Sequence, residues 1–167
     1  MTQGEAWRAP DRAAKPDVMS WKKSIDELRW RERLAERMGG EEPVARQRGR
    51  GKLTVRERVA FLCDPGSFHE IGKIAGRATY NERQEMESFT PSTSVVGRAR
   101  LNGRPAVVVA DDFTVRGGAS DAAIWQKTVL ALKMATEYHM PLVQMIDGTG
   151  GGGSVKSLEK DPRTYIP

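Results

Sequence analysis

The chain has 167 residues, 38% hydrophobic and 29% charged, with a formal net charge of +5. That is one ordinary domain or part of a larger one, with enough apolar content for a packed core. A single cysteine, Cys63, excludes an internal disulfide framework and a multi-cysteine zinc site. The longest apolar run, Pro105 to Ala110, is far too short to cross a bilayer.

The first residues, MTQGEAWRAPDR, hold no apolar signal core. With the lone cysteine, this sets the expectation of a reducing, cytoplasmic location. Residues 1–19 carry Pro10 and Pro16 and no periodicity, and read as a flexible tail ahead of one unit spanning residues 20–167. Ser20 is the expected N-cap of a first helix. Trp21, Ile25, Leu28, Leu34 and Met38 recur at helical spacings, and Gly39-Gly40 stops the pattern. The stripe is thin and surrounded by charge, so this helix is expected to lie along another element and not to fill a core.

The stretch GEEPVARQRGRGKL, residues 40–53, reads as loop. Arg46, Arg48, Arg50 and Lys52 put four cations in seven residues. Such a cluster is either a solvated surface or a capture point for a phosphate-bearing ligand or RNA. No aromatic residues interleave with it, which argues against single-stranded nucleic acid. Thr54 followed by Glu57 is a capping box opening a second helix, with Val55, Val59 and Leu62 on its apolar face. Asp64-Pro65-Gly66 reads as a turn, and SFHEIGKIAG as a strand and its exit. Residues 76–94 read as polar and irregular, with no strong local signal.

Two strands are expected around the tight turn Leu101-Asn102-Gly103. The second, Ala106 to Ala110, is continuously apolar, as strands buried on both faces are. A loop at RGGAS leads into a helix with Ile124, Val129, Leu132, Met134 and Ala135 as its apolar residues. PLVQMID is a further short strand, and the glycine run Gly148–Ser154 follows it. A strand–helix–strand unit with glycine loops at both strand exits specifies an α/β domain. Ligands of such domains sit outside the carboxyl ends of the strands, so the two loops should lie side by side there.

Gly148, Gly150 and Gly153 satisfy G-x-G-x-x-G, but six small residues in seven match that pattern by composition alone. The acidic residue expected about twenty positions on falls beyond residue 167. The phosphate-loop version fails, because Ser154 and not lysine follows Gly153. Bare backbone also suits a different chemistry, in which N–H groups converge on a developing oxyanion with no side chain in the way. Gly117-Gly118 offers the same from the neighbouring strand. The plainer reading is a flexible loop. His69 and His139 are the only histidines, neither at a metal-ligand spacing, and no G-x-S-x-G elbow occurs. No metal site is expected, and no side-chain nucleophile or base stands out.

Several separate stretches resemble one family. RGRGKLTVRERVAFLCDPGSFHEIG, residues 48–72, is similar to the R-G-K-L-T-x-R-E-R…L-x-D-P-G-S-F-x-E segment of the carboxyltransferase (β) subunit of biotin-dependent acyl-CoA carboxylases. ELRWRERLAERMGG resembles that family's entry helix. VVVADDFTVRGGASDAAIWQKTVLALKMA resembles its D-F-T-x-x-G-G-S strand, loop and helix, and PLVQMIDGTGGGG its P-x-[IV]-x-x-x-D-S-[GA]-G-[AG]-R. The resemblance covers roughly residues 20–160. It implies a crotonase-like fold of repeated β-β-α units, incomplete here at its C-terminal end, with oxyanion holes made of backbone amides. It also implies transfer of a carboxyl group from carboxybiotin to the α-carbon of an acyl-CoA, with no protein base required.

Carried over by position, Gly150 and Gly151 become the oxyanion-hole backbone, and Gly117 and Gly118 lie by the thioester arm. Arg48 and Lys52 become contacts to the CoA phosphates, and Asp147 shapes the loop. Gly152 stands where many members have arginine, and Ala119 precedes the matched Ser120. Both departures point to altered acyl specificity. The family also implies partners: a biotin carboxyl carrier with its biotin carboxylase, a C-terminal carboxyltransferase half, and further copies in a homo-oligomer. Neither nucleic acid nor membrane is implied. The chain stops within the family's first half, so alone it is expected to be incomplete. Two other readings stay open at this point: a biotin-dependent acyl-CoA decarboxylase subunit, and a non-catalytic remnant or subunit-interaction piece.

Overall fold

The computed structural model describes residues 21–119 and 124–148. The expected flexible tail, the Ser20 cap and the run from Thr149 onward, with Gly150 and Gly151, lie outside the described residues. Three helices lead: α1 (Lys22–Glu36), α2 (Glu41–Gly49) and α3 (Val55–Leu62). A four-stranded sheet takes β1 (His69–Glu70), β4 (Ser94–Leu101), β5 (Arg104–Asp111) and β6 (Leu142–Met145) in that order. A separate hairpin pairs β2 (Gly76–Tyr80) with β3 (Met86–Pro91), and α4 (Gln126–Glu137) joins β5 to β6.

β4 and β5 are antiparallel and β5 and β6 parallel, with Val107 opposite Leu142 and Ala110 opposite Met145. The β4–β5 turn is the expected one. Asn102 (φ 50°) and Gly103 (φ 78°) both take positive φ, as a two-residue turn matching strand twist requires. The Asp64 carboxylate accepts both their N–H groups, at 2.8 and 2.7 Å.

β5 is buried on both faces, which accounts for its unbroken apolar run. Val108 and Ala110 meet Val55, Val59 and Cys63 of the α3 segment on one side. Val107 and Val109 meet Ala131 and Ala135 of α4 on the other. The sheet is therefore the middle of three layers. The α3 cap forms as its spacing specifies: Thr54 Oγ1 accepts from Glu57 N at 3.3 Å, and Thr54 N donates to Glu57 Oε2 at 2.7 Å.

Three sequence expectations need correction. Residues 41–49 are helix and not loop: Pro43 sits in the first turn, where no intrahelical N–H is called for. Residues 76–91 are not irregular; they form the β2–β3 hairpin, with a register shift between Thr79 and Tyr80. The buried face of α4 is Lys127, Ala131 and Ala135, whereas Leu132 is exposed. The first helix starts from Trp21, which supplies no side-chain cap. As expected, that helix buries little, only Ala35, and lies along β3.

Candidate functional site

The carboxyl ends of β5 and β6 bring Gly118 and Gly148 together. After β5 the chain runs through Asp112 and Phe113 into a turn at Arg116–Gly118. Arg116, Gly117 and Gly118 all take left-handed φ, at 50°, 67° and 68°. A non-glycine residue in that region is uncommon, and two glycines in succession allow the reversal to continue. The Gly118 N–H donates to Val115 O at 2.9 Å and the Ala119 N–H to Arg116 O at 3.4 Å.

The contact between the segments is backbone on backbone. A Cβ on Gly118 would lie 2.5 Å from the Asp147 carbonyl oxygen, and one on Gly148 would lie 2.9 Å from Gly118 O. Only glycine at both positions permits this approach. Thr114 fixes the preceding turn. Its Oγ1 donates to Asp112 Oδ1 at 2.6 Å and accepts from Gly39 N at 2.9 Å, tying the end of α1 to the loop. Gly39 is equally constrained, because a Cβ there would sit 1.9 Å from Thr114 O.

The charges around this junction come from α2, α3 and the strand ends. The Asp147 carboxylate receives Gln47 Nε2 at 3.3 Å, Arg58 at 3.4 Å and Lys52 Nζ at 3.5 Å. Burial raises the Asp111 carboxyl above the usual carboxylate range, against the Asp147 N–H and Arg58, which pull it down. Burial likewise raises Asp112, opposed by its hydrogen bonds from Thr114. Lys127 is buried 33 residues from its partner Ser94, whose carbonyl accepts from Nζ at 2.8 Å. Burial drives its pKa down to about 8.

The sequence-named residues divide by position. Gly117 and Gly118 are at the junction. Lys52 is beside it, over the Phe113 ring at 5.7 Å from the centroid. Arg48 is engaged with Glu57 at 2.7 Å, one helix start away, although the pair is largely exposed. Asp147 is turned toward α2 and α3. Sequence reasoning missed Arg58, Asp111 and Gln47, whose links to Asp147 and to each other span 36 to 100 residues and leave no local signal. A cavity of about 810 Å³, lined by Arg98, Arg100, Tyr138 and Met140 among others, lies at the opposite end of the sheet, away from Gly117, Gly118 and Gly148. Among the described residues no cluster of His, Cys, Asp and Glu forms a metal site, and no helix is long and apolar enough to cross a membrane.

Comparison with known proteins places this arrangement. The carboxyl transferase domain model matches residues 46–161. The mitochondrial propionyl-CoA carboxylase beta chain of Homo sapiens is 34% identical over 142 residues, covering 83% of this chain and 26% of that protein. The propionyl-CoA carboxylase carboxyltransferase subunit of Haloferax mediterranei is 30% identical over 132 residues, covering 79% and 26%. Among solved structures, transcarboxylase 12S, described as a hexamer with methylmalonyl-coenzyme A bound, superposes with a TM-score of 0.68. It is 29% identical and covers 83% of this chain and 27% of that one. The geranyl-CoA carboxylase beta subunit of P. aeruginosa, at 20% identity and a TM-score of 0.63, shares the fold. The chain spans about a quarter of the length of the curated relatives it matches. The expected crotonase-like α/β fold is the one these neighbours share. With its glycine junction at the ends of parallel strands and a family match over most of its length, the chain belongs to the carboxyl transferase family, that of the carboxyltransferase (beta) subunits of acyl-CoA carboxylases.

Proposed function

We propose that this chain provides the acyl-CoA side of a carboxyltransferase site, in which a carboxyl group is moved from carboxybiotin to the α-carbon of an acyl-CoA thioester. The observation that carries this reading is the backbone contact between Gly118 and Gly148. It brings two backbone segments free of side chains together where ligands of α/β domains bind.

When bound, carrier-linked carboxybiotin would supply the carboxyl group, and the biotin left behind would accept the α-proton. The chain's own role is to bind the thioester and stabilise the oxygen that becomes negative as the α-carbon loses its proton. Backbone N–H groups of Gly150 and Gly151 are the proposed donors, in the manner of an oxyanion hole. Gly117 and Gly118 leave room for the thioester arm. Lys52 and Arg48 are the proposed partners of the CoA phosphates. Both are more than half exposed, so their pairing with Asp147 and Glu57 is weak enough to yield to a phosphate. We assign the biotin carrier with its carboxylase, the C-terminal half of a carboxyltransferase and other copies of the chain as partners. The proposed setting is the cytoplasm.

Calorimetric titration with acetyl-, propionyl- and a branched acyl-CoA tests the reading, in parallel with circular dichroism. Binding that weakens when Lys52 is changed to Met supports it. A well-folded chain that takes up no acyl-CoA, alone or with a C-terminal half supplied, would refute it.

A further inference from the structure

Asp147 stands between β6 and the glycine run, and it is held at both its side chain and its backbone. Gln47 Nε2 donates to Oδ2 at 3.3 Å, and Arg58 Nη2 lies 3.4 Å from the same oxygen. The Asp147 N–H donates to Asp111 Oδ2 at 3.2 Å. Arg58 closes the ring by donating from Nη2 to the Asp111 carbonyl at 2.6 Å. One guanidinium from α3 thus spans the exits of both parallel strands. The Asp147 carbonyl is the very group that limits the approach of Gly118.

We propose that Arg58 and Asp111 are positioning residues that hold the Asp147 exit of β6 against the Gly118 turn and so set the separation of Gly118 and Gly148. Arg58 is poorly placed to act as a stabiliser. Its Nε is buried with no hydrogen-bond partner among the described residues. A charge taken out of water with one arm unpaired contributes little net stability. What Arg58 supplies is geometry: its Nη2 alone meets acceptors from both strand exits, held there by a planar group whose position the flexible ammonium of a lysine reproduces only in part. The functional consequence, a binding gap of fixed width for a thioester, rests on the acyl-CoA reading above; the hold itself does not.

The two can be separated by measuring amide exchange by NMR on the whole chain without ligand, then titrating propionyl-CoA, for wild type, Arg58→Met, Arg58→Lys and Asp111→Asn. The Asp147 amide is expected to exchange at least ten-fold faster in Arg58→Met and Asp111→Asn, with hairpin amides at 76–91 unchanged, and to recover partly in Arg58→Lys. Propionyl-CoA affinity is expected to fall about ten-fold in parallel. Unchanged exchange at Asp147, or equal acceleration throughout the sheet, overturns the proposal. Faster exchange with unaltered affinity overturns its link to the ligand. A wild type that binds no acyl-CoA, alone or with a C-terminal half supplied, while the Asp147 amide still loosens as expected in the variants, would defeat the acyl-CoA reading and leave the hold standing. If Arg58→Met does not fold, Asp111→Asn and Arg58→Lys carry the same comparison.

Discussion

The glycine junction and the β2–β3 hairpin are both built around turns, yet they are held in opposite ways. The hairpin depends on neighbours. The Asn81 carboxamide oxygen accepts from Arg83 N and Glu85 N at 2.9 Å each, and Thr79 and Ser88 share a hydrogen bond at 2.7 Å across the strands. The junction depends on residues far away in sequence: Gly39 on Thr114, Gln47 and Arg58 on Asp147, Arg58 on Asp111. A turn that only reverses the chain is served by local bonds. A pair of loops that must keep a fixed gap has to be tied to the layers around it, because the glycines at their closest approach carry no side chains to do so.

Breaking the junction should therefore cost far more than breaking the hairpin. Gly118→Ala combines a left-handed φ of 68° with a Cβ 2.5 Å from the Asp147 carbonyl. The combination should destabilise the fold by about 3 kcal/mol, seen as a lower midpoint in urea unfolding, and should abolish acyl-CoA binding. A loss below about 1 kcal/mol would mean the segments are not in contact.

The second test concerns Lys127, which anchors α4, and with it the chain leaving the junction, to β4. Burial lowers its pKa from the usual 10.5 to about 8. Between these values the unfolded chain binds the additional proton, so stability rises with pH through that window, and the cost of burying the charge is fully present below about 8. The full span is about 2.5 pH units, or on the order of 3 kcal/mol. Lys127→Met removes this term. Its stability relative to wild type should be highest near neutral pH and decline toward about pH 10. A difference that stays flat from about pH 7 to 10 would contradict the assignment.

Smaller effects belong to the local bonds. Glu57 is held down to about 2 by the Thr54 N–H first, then by Arg48 and the Thr54 hydroxyl. Its contribution is thus present above the usual 4.5 and lost as pH falls from there toward 2. Glu57→Ala should cost about 1 kcal/mol at neutral pH, a difference that thermal melts should show shrinking in acid. Asn81→Ala should cost about 1 kcal/mol or less and leave acyl-CoA binding untouched. Any effect of that variant on binding would erase the distinction between the two regions.

The same contrast governs what could be read from the sequence. The α3 cap, the Asn102-Gly103 turn and the double-sided burial of β5 were all legible, because each is a short-range pattern with one structural meaning. The placing of Gly118 and Gly148 at adjacent strand exits followed from the strand–helix–strand order. Helix α2 was not legible. Gly40, Pro43, Gly49 and Gly51 look like breakers, but the proline and the glycines fall at or beyond the helix ends, where they are tolerated. The hairpin was hidden because its strands are mostly polar and their pairing lies in the partner strand. The face of α4 was misjudged because the large residues Leu130 and Leu132 point outward, while Ala131 and Ala135 let the helix lie close to the sheet. Arg58 and Asp111 each look ordinary in isolation. Only folding brings them to Asp147.

The most direct test is the exchange footprint of propionyl-CoA on this chain. The account predicts protection confined to the junction at 111–119 and 145–151 and to the cations at 46–52, with the hairpin at 76–91 and the cavity beside Arg98 and Tyr138 unaffected. Protection at that cavity or at the hairpin, with the junction unchanged, would show that the acyl-CoA site lies elsewhere and that the glycine contact serves only the fold.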